Sequence, residues 1–485
     1  MDTKKLRQKI LDLAIRGKLV PQDPNDEPAS VLLERIRAEK EQLIKEGKIK
    51  RTKKSNASDT SHYENVPYKI PCNWCWTTLG EIGTWQAGAT PSRAQKDYYG
   101  GNIPWLKTGD LTDGYIYEIP ETITNKALEE TSVKLNPTGS VLIAMYGATI
   151  GKIGILTFPA TTNQACCACV DYKAVTQKYL FYFLLSHKEE FIRLGGGGAQ
   201  PNISKEKIVE TFIPIPPIAE QGRLVNEIEK LFSLVGMLDS NTDKLRRYIA
   251  LEKENILHLA ITGKLLPQEP ADEPAITLLK KINPNYIPCD NRHYENVPYE
   301  VPESWQWVKL KDLCVFLSRG KSPVYSETDK RYPVFAQKCN LKGGGISLKE
   351  ARFLEPSTIS KWKDVYKLQD GDILINSTGT GTVCRTRLFK SEYLCDYPFV
   401  VPDSHVSVIR TYEQISSEYA YLVLSSKFSQ DYMMDNLAGS TNQKELYISV
   451  LENLLFPLPP FGEQMRIVKC VNKIYTQLEH ISSEL

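Results

Sequence analysis

The chain lacks the features of a membrane-bound or secreted protein. Its 485 residues contain no apolar run of the roughly 18 residues that a transmembrane helix needs. Residues 1–5 lead into an amphipathic helix without the apolar stretch of a signal peptide. The eleven cysteines, an odd number scattered along the chain, fit reduced thiols better than a disulfide framework. We therefore expect a cytoplasmic protein with no contact to a membrane.

A strong net charge is also absent. The formal net charge is only +2, so any contact with nucleic acid must use local basic surface rather than a global field. The composition, 41% apolar and 9% aromatic, is typical of a folded chain, and the length allows two or more domains with proper cores.

Complete catalytic motifs are missing as well. Residues 147–152 are one residue short of a phosphate-binding loop, and Ile153 replaces its Ser or Thr. The glycines at 195–198 follow a predicted helix rather than the strand of a dinucleotide fingerprint. Residues 283–286 lack the second proline of an adenine methyltransferase motif, and no cofactor glycine motif precedes them. We predict no catalytic site in this chain.

A zinc site is a further possibility that the sequence disfavours. The side chains of Cys72, Cys75 and the group Cys166, Cys167 and Cys169 could in principle bind zinc. A second copy of the Cys72–Cys75 region carries Glu303 and Gln306 instead, so this scaffold does not need that metal. We predict no metal ligands.

One long segment recurs in pieces at both ends of the chain. Residues 220–266 carry apolar residues at steps of three and four from Leu224 to Leu259, the heptad pattern of a helix that pairs with another helix. The C-terminus copies the first half of this segment, and the N-terminus copies the second half. The matching pieces are 463–468 with 220–225, and 10–22 with 256–268.

This circular repeat predicts two similar halves related by an approximate two-fold axis, with the central and C-terminal helices paired antiparallel as a spine. The alternative is the core of a helical bundle, but a bundle does not require copies at both termini. If residues 220–262 form one helix, it is about 64 Å long at 1.5 Å per residue.

Before the first domain we predict two short helices. The first covers residues 4–16 and ends at Gly17, and the second covers 31–46 with Ser30 as its cap. The basic run 48–54 could touch a phosphate backbone, although a solvated linker is favoured because the polar residues 55–61 follow it.

A second repeat marks two globular domains. Residues 62–68 recur as 293–299, including the matched His62 and His293, and paired tryptophans follow that we interpret as packing residues. Both domains close with proline-rich segments, 213–217 and 456–460. The predicted boundaries are 1–61, N-terminal spine helix and linker; 62–217, first domain; 218–292, central spine helix and linker; 293–460, second domain; and 461–485, C-terminal spine helix.

Inside the domains, short apolar runs at 140–145 and 153–156 predict strands around a polar turn, and 178–193 predicts a helix. The second domain has an equivalent strand at 371–375, a polar turn at 376–382 and a helix at 418–436. Otherwise the domains share almost no sequence, which suggests similar scaffolds that act on different targets. The predicted class is α+β: two mixed α/β domains, long antiparallel coiled-coil spine helices, and a circular pseudo-two-fold repeat.

These features resemble the specificity subunit of type I restriction-modification enzymes over nearly the whole chain. The shared signatures are the circular repeat, the Gly-Lys-Leu-Val-Pro-Gln element at 17–22 and the Ile-Pro-Pro-Ile-Ala-Glu-Gln entry into the spine at 215–221. The first domain looks like a common target-recognition type through residues 103–110, 144–152 and 199–204, and the second resembles another type through residues 371–382.

The resemblance implies a non-catalytic subunit that reads a two-part sequence in double-stranded DNA. Two modification subunits would bind it and carry S-adenosylmethionine and adenine N6 methylation. Restriction subunits would add ATP-driven, magnesium-dependent translocation and cleavage. The chain itself would need no cofactor.

Polar residues in glycine-flanked loops are the candidates for DNA contact, because loops carry variable contacts while strands hold them in place. In the first domain they are Arg93, Lys107, Tyr146, Thr149, Lys152 and Gln200. In the second domain they are Lys321, Lys338, Ser377, Thr378, Thr380, Arg385 and Asn442.

Two other classes of protein stay open at this point. A self-sufficient DNA methyltransferase or nuclease fused to a recognition domain would need a cofactor-binding unit or clustered acidic ligands, and neither is found. A structural coiled-coil adaptor would explain the spine but not two loop-rich domains of this size.

Overall fold

The structure is a computed structural model that describes residues 2–47, 66–171, 175–196, 202–287, 297–379, 381–439 and 444–485. It divides into two compact units, Met1–Asn241 and Thr242–Leu485. No helix among the described residues is long and apolar enough to cross a membrane. The basic run 48–54, the polar stretch 55–61 and the matched His62 and His293 lie outside the described residues.

The first unit begins with helix α1 (Thr3–Ile15), capped by the Asp2 carboxylate, which accepts a hydrogen bond from the Lys5 backbone N–H at 3.0 Å. The other helices are α2 (Ala29–Lys45), α3 (Leu79–Ile82), α4 (Asn125–Glu130), α5 (Gln177–Ser186), α6 (Lys188–Gly195), α7 (Lys205–Val209) and the first part of α8 (Ile218–Ile261). The strands are β1 (Cys75–Thr78), β2 (Gly83–Ala87), β3 (Tyr99–Leu106), β4 (Gly114–Ile116), β5 (Thr122–Ile123), β6 (Val141–Ala144), β7 (Ile153–Leu156), β8 (Thr161–Thr162), β9 (Cys166–Asp171) and β10 (Phe212–Ile215).

The second unit contains the last part of α8 and a matching set of elements. Its helices are α9 (Ala275–Ile282), α10 (Ser417–Ser425), α11 (Lys427–Asp435), α12 (Ile448–Asn453) and α13 (Phe461–Glu484). Its strands are β11 (Gln306–Lys309), β12 (Cys314–Arg319), β13 (Tyr325–Ser326), β14 (Pro333–Phe335), β15 (Arg352–Leu354), β16 (Ile373–Asn376), β17 (Thr386–Leu388), β18 (Val401–Pro402), β19 (Val406–Thr411) and β20 (Leu455–Leu458).

The two domains share a core strand topology, to which the first adds β4 and the second adds β13. The larger sheets have the orders β2-β9-β6-β7-β4 and β12-β19-β16-β17, and the smaller ones β5-β3-β8 and β13-β15-β14-β18. In both smaller sheets the central strand, β3 or β14, pairs in parallel with a two-residue strand, β8 or β18. The interior strands β6 and β16 of the larger sheets are buried at every position. Helices cover one face of each larger sheet, and the smaller sheet of the same domain covers the other face. The prediction of similar mixed scaffolds with different loops is confirmed.

The strands that open and close each domain are held by matching aromatic residues. The Tyr179 hydroxyl donates to the Pro214 carbonyl at 2.6 Å, and the Tyr419 hydroxyl donates to the Pro457 carbonyl at 3.0 Å. The indole nitrogens of Trp74 and Trp305 donate to Glu220 and Glu463 at 2.9 and 2.8 Å. The interpretation of these tryptophans as packing residues is confirmed.

Each unit contains one antiparallel helix pair. In the first unit Arg7 of α1 pairs with Asp239 of α8 at 2.8 Å, while Gln22, after α1, donates to Glu220 near the start of α8 at 2.6 Å. In the second unit the corresponding contacts join Lys253 to Glu479 at 2.8 Å and Gln268 to Glu463 at 2.6 Å. The first half of α8 therefore has the same role as α13, and the second half the same role as α1, as the circular repeat predicts.

Glycine allows the chain to leave the helix at the same point of each repeat. Gly17 and Gly263 have φ values of +65° and +70°, the left-handed conformation that ends many helices. A Cβ atom on Gly17 would lie 2.4 Å from Cγ of Pro71, and one on Gly263 would lie 2.4 Å from Cγ of Pro302. The predicted end of the first helix at Gly17 is confirmed.

Several sequence-based details are wrong. The heptad seam is interrupted, since Leu238, Leu245 and Leu259 are exposed. Near its end α8 instead turns Leu257, Ala260 and Ile261 towards the core that contains α9. Helix α2 starts after Pro28 without a side-chain cap, so Ser30 is not its cap. The helix predicted at 178–193 is broken at His187, and the one at 418–436 is broken at Ser426, whose hydroxyl caps α11.

Candidate nucleic-acid interface

The candidate residues fall in equivalent loops of the two domains. We define loop A as the residues after β2 or β12 (88–95 and 320–324), and loop B as those after β3 or β14 (107–110 and 336–340). Loop C joins β6 to β7 in the first domain (145–152) and β16 to β17 in the second (377–379 and 381–385). Loop D precedes α7 in the first domain (202–204) and α12 in the second (444–447).

Every candidate that the structure describes lies in one of these loops. Arg93 and Lys321 are in loop A, Lys107 and Lys338 in loop B, and Tyr146, Thr149, Lys152, Ser377, Thr378 and Arg385 in loop C. Gln200, Thr380 and Asn442 lie outside the described residues. Whether any of these side chains contacts DNA stays a prediction.

In the first domain a turn after β8 brings these loops together. We call residues 163–165 and their counterparts 403–405 the central turn. The backbone N–H of Asn163 donates to Leu106 at the end of β3, directly before loop B, at 2.9 Å, and that of Met145 in loop C donates to Ala165 at 2.8 Å. Loop A is joined to the residue after the turn, because the Gly88 backbone N–H donates to Cys166 at 3.0 Å.

The second domain repeats this hydrogen-bond pattern. The backbone N–H of Asp403 donates to Phe335 at 3.0 Å, that of Ser377 donates to His405 at 2.8 Å, and that of Gly320 donates to Val406 at 2.9 Å. Loop D is joined to loop C in both domains by the bonds from Ile203 to Met145 and from Leu446 to Ser377. Two loop sets of different sequence therefore share one backbone arrangement.

In the first domain, Arg93 and Lys107 share one acidic partner. The Glu121 carboxylate accepts from Arg93 at 3.0 Å and from the Lys107 ammonium group. The hydrogen bond from Lys107, assisted by Arg93, holds the pKa of Glu121 below its ordinary value. The Arg93 guanidinium also lies 4.4 Å from the ring centre of Tyr99. This cluster places two cations side by side at the edge of loops A and B.

Replacing Glu121 with glutamine is expected to make DNA binding more salt-dependent. The change leaves Arg93 and Lys107 without their carboxylate, so both can neutralise phosphates, and the slope of log K against log salt should steepen by about 1–2. Binding of random-sequence duplex DNA over a range of salt concentrations measures the slope. Glu129→Gln, an equal charge change at an exposed site on α4, is the control and should leave it unchanged. Equal slopes for both variants would contradict this placement of the two cations.

Loop C of the first domain presents three candidates together. Tyr146 is exposed, and its backbone carbonyl accepts a hydrogen bond from the Thr149 hydroxyl at 3.1 Å. Lys152 follows Gly151, whose φ of +76° turns the chain back towards β7. Lys152 has no ion-pair partner among the residues that the structure describes.

In the second domain the candidates differ in exposure. Lys338 is exposed, and the Lys321 ammonium lies 4.2 Å from the ring centre of Tyr366. Arg385 donates to the Asn340 carbonyl at 2.5 Å, and the Thr378 hydroxyl accepts from Gln337. These contacts join loop B to loop C.

Ser377 is placed differently from the other candidates. It is fully buried, and its hydroxyl shares a 2.6 Å hydrogen bond with the hydroxyl of Ser407. This position gives the side chain a role in holding loop C against β19 and argues against direct contact with a base.

Several polar residues around these loops are not among the candidates selected from sequence. Arg319 donates to Glu445 of loop D and, at 3.1 Å, to the Leu446 carbonyl. Arg387 donates to the Leu341 carbonyl at 2.9 Å. Residues 319–367 contain eleven Lys and Arg but five Asp and Glu, a local cationic excess that a count over this segment could have revealed.

Three of the five cysteines considered for zinc lie in one strand. Cys166, Cys167 and Cys169 are buried in β9, and burial raises the pKa of the Cys167 thiol to about 12. In the described part of the chain, no group of three or more His, Cys, Asp or Glu side chains has the arrangement of a metal site.

The fold and the duplicated loops define a two-domain protein in which one framework carries two different surfaces. A family model described as the type I restriction modification DNA specificity domain matches residues 71–242 and 302–484. This match covers more than half of the chain. The chain belongs to the family of type I restriction-modification DNA specificity proteins.

Curated relatives agree with this family. The type I restriction enzyme EcoEI specificity subunit of Escherichia coli is 25% identical, over 99% of this chain and 90% of that protein. The EcoAI specificity subunit of Escherichia coli is 28% identical, over 97% and 88%. The MjaIX specificity subunit of Methanocaldococcus jannaschii is 24% identical, over 83% and 87%.

Solved structures agree on the fold. A chain from a type I restriction-modification system aligns with a TM-score of 0.57 and 18% identity, over 86% of this chain and 94% of that one. The HsdS subunit from Thermoanaerobacter tengcongensis aligns with a TM-score of 0.51 and 19% identity, over 86% and 93%.

Proposed function

We propose that this chain is the DNA-reading subunit of a type I restriction-modification complex, in which each domain reads one half of a two-part target. The observation that carries the proposal is the duplicated loop surface: one backbone arrangement, built twice, with different side chains. A duplex offers two half-sites in inverted orientation, and a protein with two-fold character can place one reader on each. The family and the names of the relatives support the same role.

The helices have two roles in this proposal. They set the number of unread base pairs between the half-sites, because a helix holds a fixed rise per residue. They also bind two modification subunits. Large exposed apolar side chains support this docking role, since such surface commonly marks interfaces. They are Leu234, Met237 and Leu238 in the first unit, and Tyr248, Leu251 and Met465 in the second.

The loop residues divide by chemistry. Arginine or lysine can read guanine, and glutamine or asparagine can read adenine, while other cations contact phosphates. On this basis Arg93, Lys107, Lys152, Lys321, Lys338 and Arg385 are proposed for guanine or phosphate, and Gln200 and Asn442 for adenine. Tyr146, Thr149, Thr378 and Thr380 are proposed for single contacts.

The chain is proposed to act in the cytoplasm without catalysing a reaction itself. S-adenosylmethionine, ATP and magnesium are assigned to the modification and restriction subunits. The competing proposal is a self-sufficient methyltransferase or nuclease, which would need its own cofactor or metal site.

Methyl transfer distinguishes the two proposals. The purified chain is mixed with labelled S-adenosylmethionine and duplex DNA, with and without its proposed modification subunit. We expect label in DNA only when both proteins are present. Methyl transfer by this chain alone would overturn the proposal, and DNA cleavage by this chain alone would overturn it equally.

A further inference from the structure

The central turn contains none of the residues that sequence patterns select, yet it occupies the middle of the loop surface. In each domain its backbone is bonded directly to loop C and to the end of the strand that precedes loop B, and the residue that follows it, Cys166 or Val406, is bonded to loop A. It also closes on itself, with bonds of 3.1 Å from Cys166 to Asn163 and 3.2 Å from Val406 to Asp403. Its position relative to the loops is therefore fixed.

Close packing at one glycine holds the turn against loop A. A Cβ atom on Gly88 would lie 2.1 Å from the Thr162 carbonyl oxygen, and one on Gly320 would lie 2.2 Å from the Asp403 carbonyl oxygen. Neither contact could be relieved by a side-chain rotation, because the neighbouring atoms are backbone. A rigid backbone is what a reading element needs, since precise placement precedes hydrogen bonding to a base edge.

The more exposed side chains of the turn differ between the two domains. Gln164 is exposed, and its carbonyl oxygen accepts a hydrogen bond from the Thr90 hydroxyl of loop A. The matching position, Ser404, accepts from Ser322 of loop A at 3.4 Å. Next to it, 55% of the His405 side chain is exposed, and its Nδ1 lies 3.5 Å from the carboxylate of Asp403. The backbone is thus duplicated while the chemistry it presents has changed.

We propose that the central turn is a specificity-determining element, with Gln164 reading a base pair in one half-site and His405 reading one in the other. This inference rests on the proposed function. The side-chain carbonyl oxygen of Gln164 accepts from Thr90 and keeps a second lone pair, and its amide nitrogen has no partner among the described residues. The amide nitrogen can therefore donate to adenine N7 while the carbonyl oxygen accepts from adenine N6. The imidazole of His405 offers one hydrogen bond to a base edge.

The test selects DNA from a library of random duplexes with the chain and its modification subunit, and compares the wild type with Gln164→Ala and His405→Ala. We expect the wild type to enrich a two-part sequence. Gln164→Ala should lose roughly 5- to 150-fold of the preference at one base pair in one half-site, the range expected for one good base contact. His405→Ala should relax one base pair in the other half-site.

Each variant also reports whether the protein is folded, because the half-site read by the unchanged domain must still be enriched. Glu129→Ala and Glu392→Ala change exposed residues away from the turn and should leave both half-sites unchanged. If the wild type enriches a two-part sequence and both turn variants enrich it unchanged, the inference is wrong and the proposed function stands. Uniform weakening without a change of preference would also overturn the inference. If the wild type enriches no two-part sequence, the proposed function itself fails.

Discussion

Replacing Arg410 with methionine is expected to lower the free energy of unfolding of the second unit by about 3–5 kcal/mol, the usual cost of leaving a buried charge without its partner. Asp372, which precedes β16, has a fully buried side chain. Arg410 of β19 binds its two oxygens with two hydrogen bonds of 2.7 Å, and the Gln369 backbone N–H adds a third of 2.8 Å. Without Arg410 the carboxylate keeps only the backbone bond.

Hydrogen exchange on the full chain measures this loss unit by unit, since protected amides of each unit report its opening separately. Arg331→Met is the matched control. It removes an arginine that is 66% exposed and paired with Asp329, so a change below about 1 kcal/mol is expected. Equal protection in Arg410→Met and wild type would show that this pair does not stabilise the domain.

The loss should depend on pH. Burial raises the pKa of Asp372 in the folded chain, against the opposing effect of Arg410, and removing Arg410 raises that pKa further. A carboxyl with a raised folded pKa favours folding when protonated, and this contribution disappears as the pH rises through the folded pKa. The difference between Arg410→Met and wild type should therefore be largest near pH 7 and shrink as the pH falls towards about 4.

Inserting four residues between Asn241 and Thr242 is expected to move methylation to a target with a longer spacer. Four helical residues add about 6 Å, close to two base pairs of rise, and turn about 40° beyond a full rotation, a mismatch that local unwinding can absorb. We expect a spacer one or two base pairs longer and unchanged half-sites. Seven residues would add roughly 10 Å and keep the heptad phase nearly in register.

Mapping of methylated sites by sequencing decides this prediction. Replacing Asn241, Thr242 and Asp243 with alanine changes the same stretch without changing its length, and should leave the spacer as it is. An unchanged spacer with full activity in the insertion variant would mean that the helix does not measure the distance, and the helices would then be docking surfaces only.

The parts of the fold that repeat in the sequence could be predicted from it. The copies around Glu220 and Glu463 predict that α8 and α13 begin alike and pair with equivalent helices, because a repeat requires equivalent partners. Breaks inside helices were missed, since the residues on both sides of His187 favour a helix and only tertiary packing ends it there. The sequence predicts Ser377 as a DNA-contacting loop residue, but in the folded chain its side chain is buried and hydrogen-bonded to Ser407.

The central turn could not be found from sequence. Residues 163–165 and 403–405 have no residue in common, and they follow strands of only two residues, which give no periodic signal. Their equivalence depends on the backbone bonds that they make to loop C and that the residue after them makes to loop A, which only the folded chain reveals. The boundaries of the five predicted segments stay a prediction.

Exchange of one domain tests the central claim most directly. Residues 62–217 are replaced by the matching domain of a type I specificity subunit from another system, and the methylated sites are sequenced in cells that supply the modification subunit. The account predicts that one half-site becomes that of the donor while the other half-site and the spacer are retained. A change in both half-sites, or a target identical to that of the wild type, would contradict the claim that each domain reads its own half.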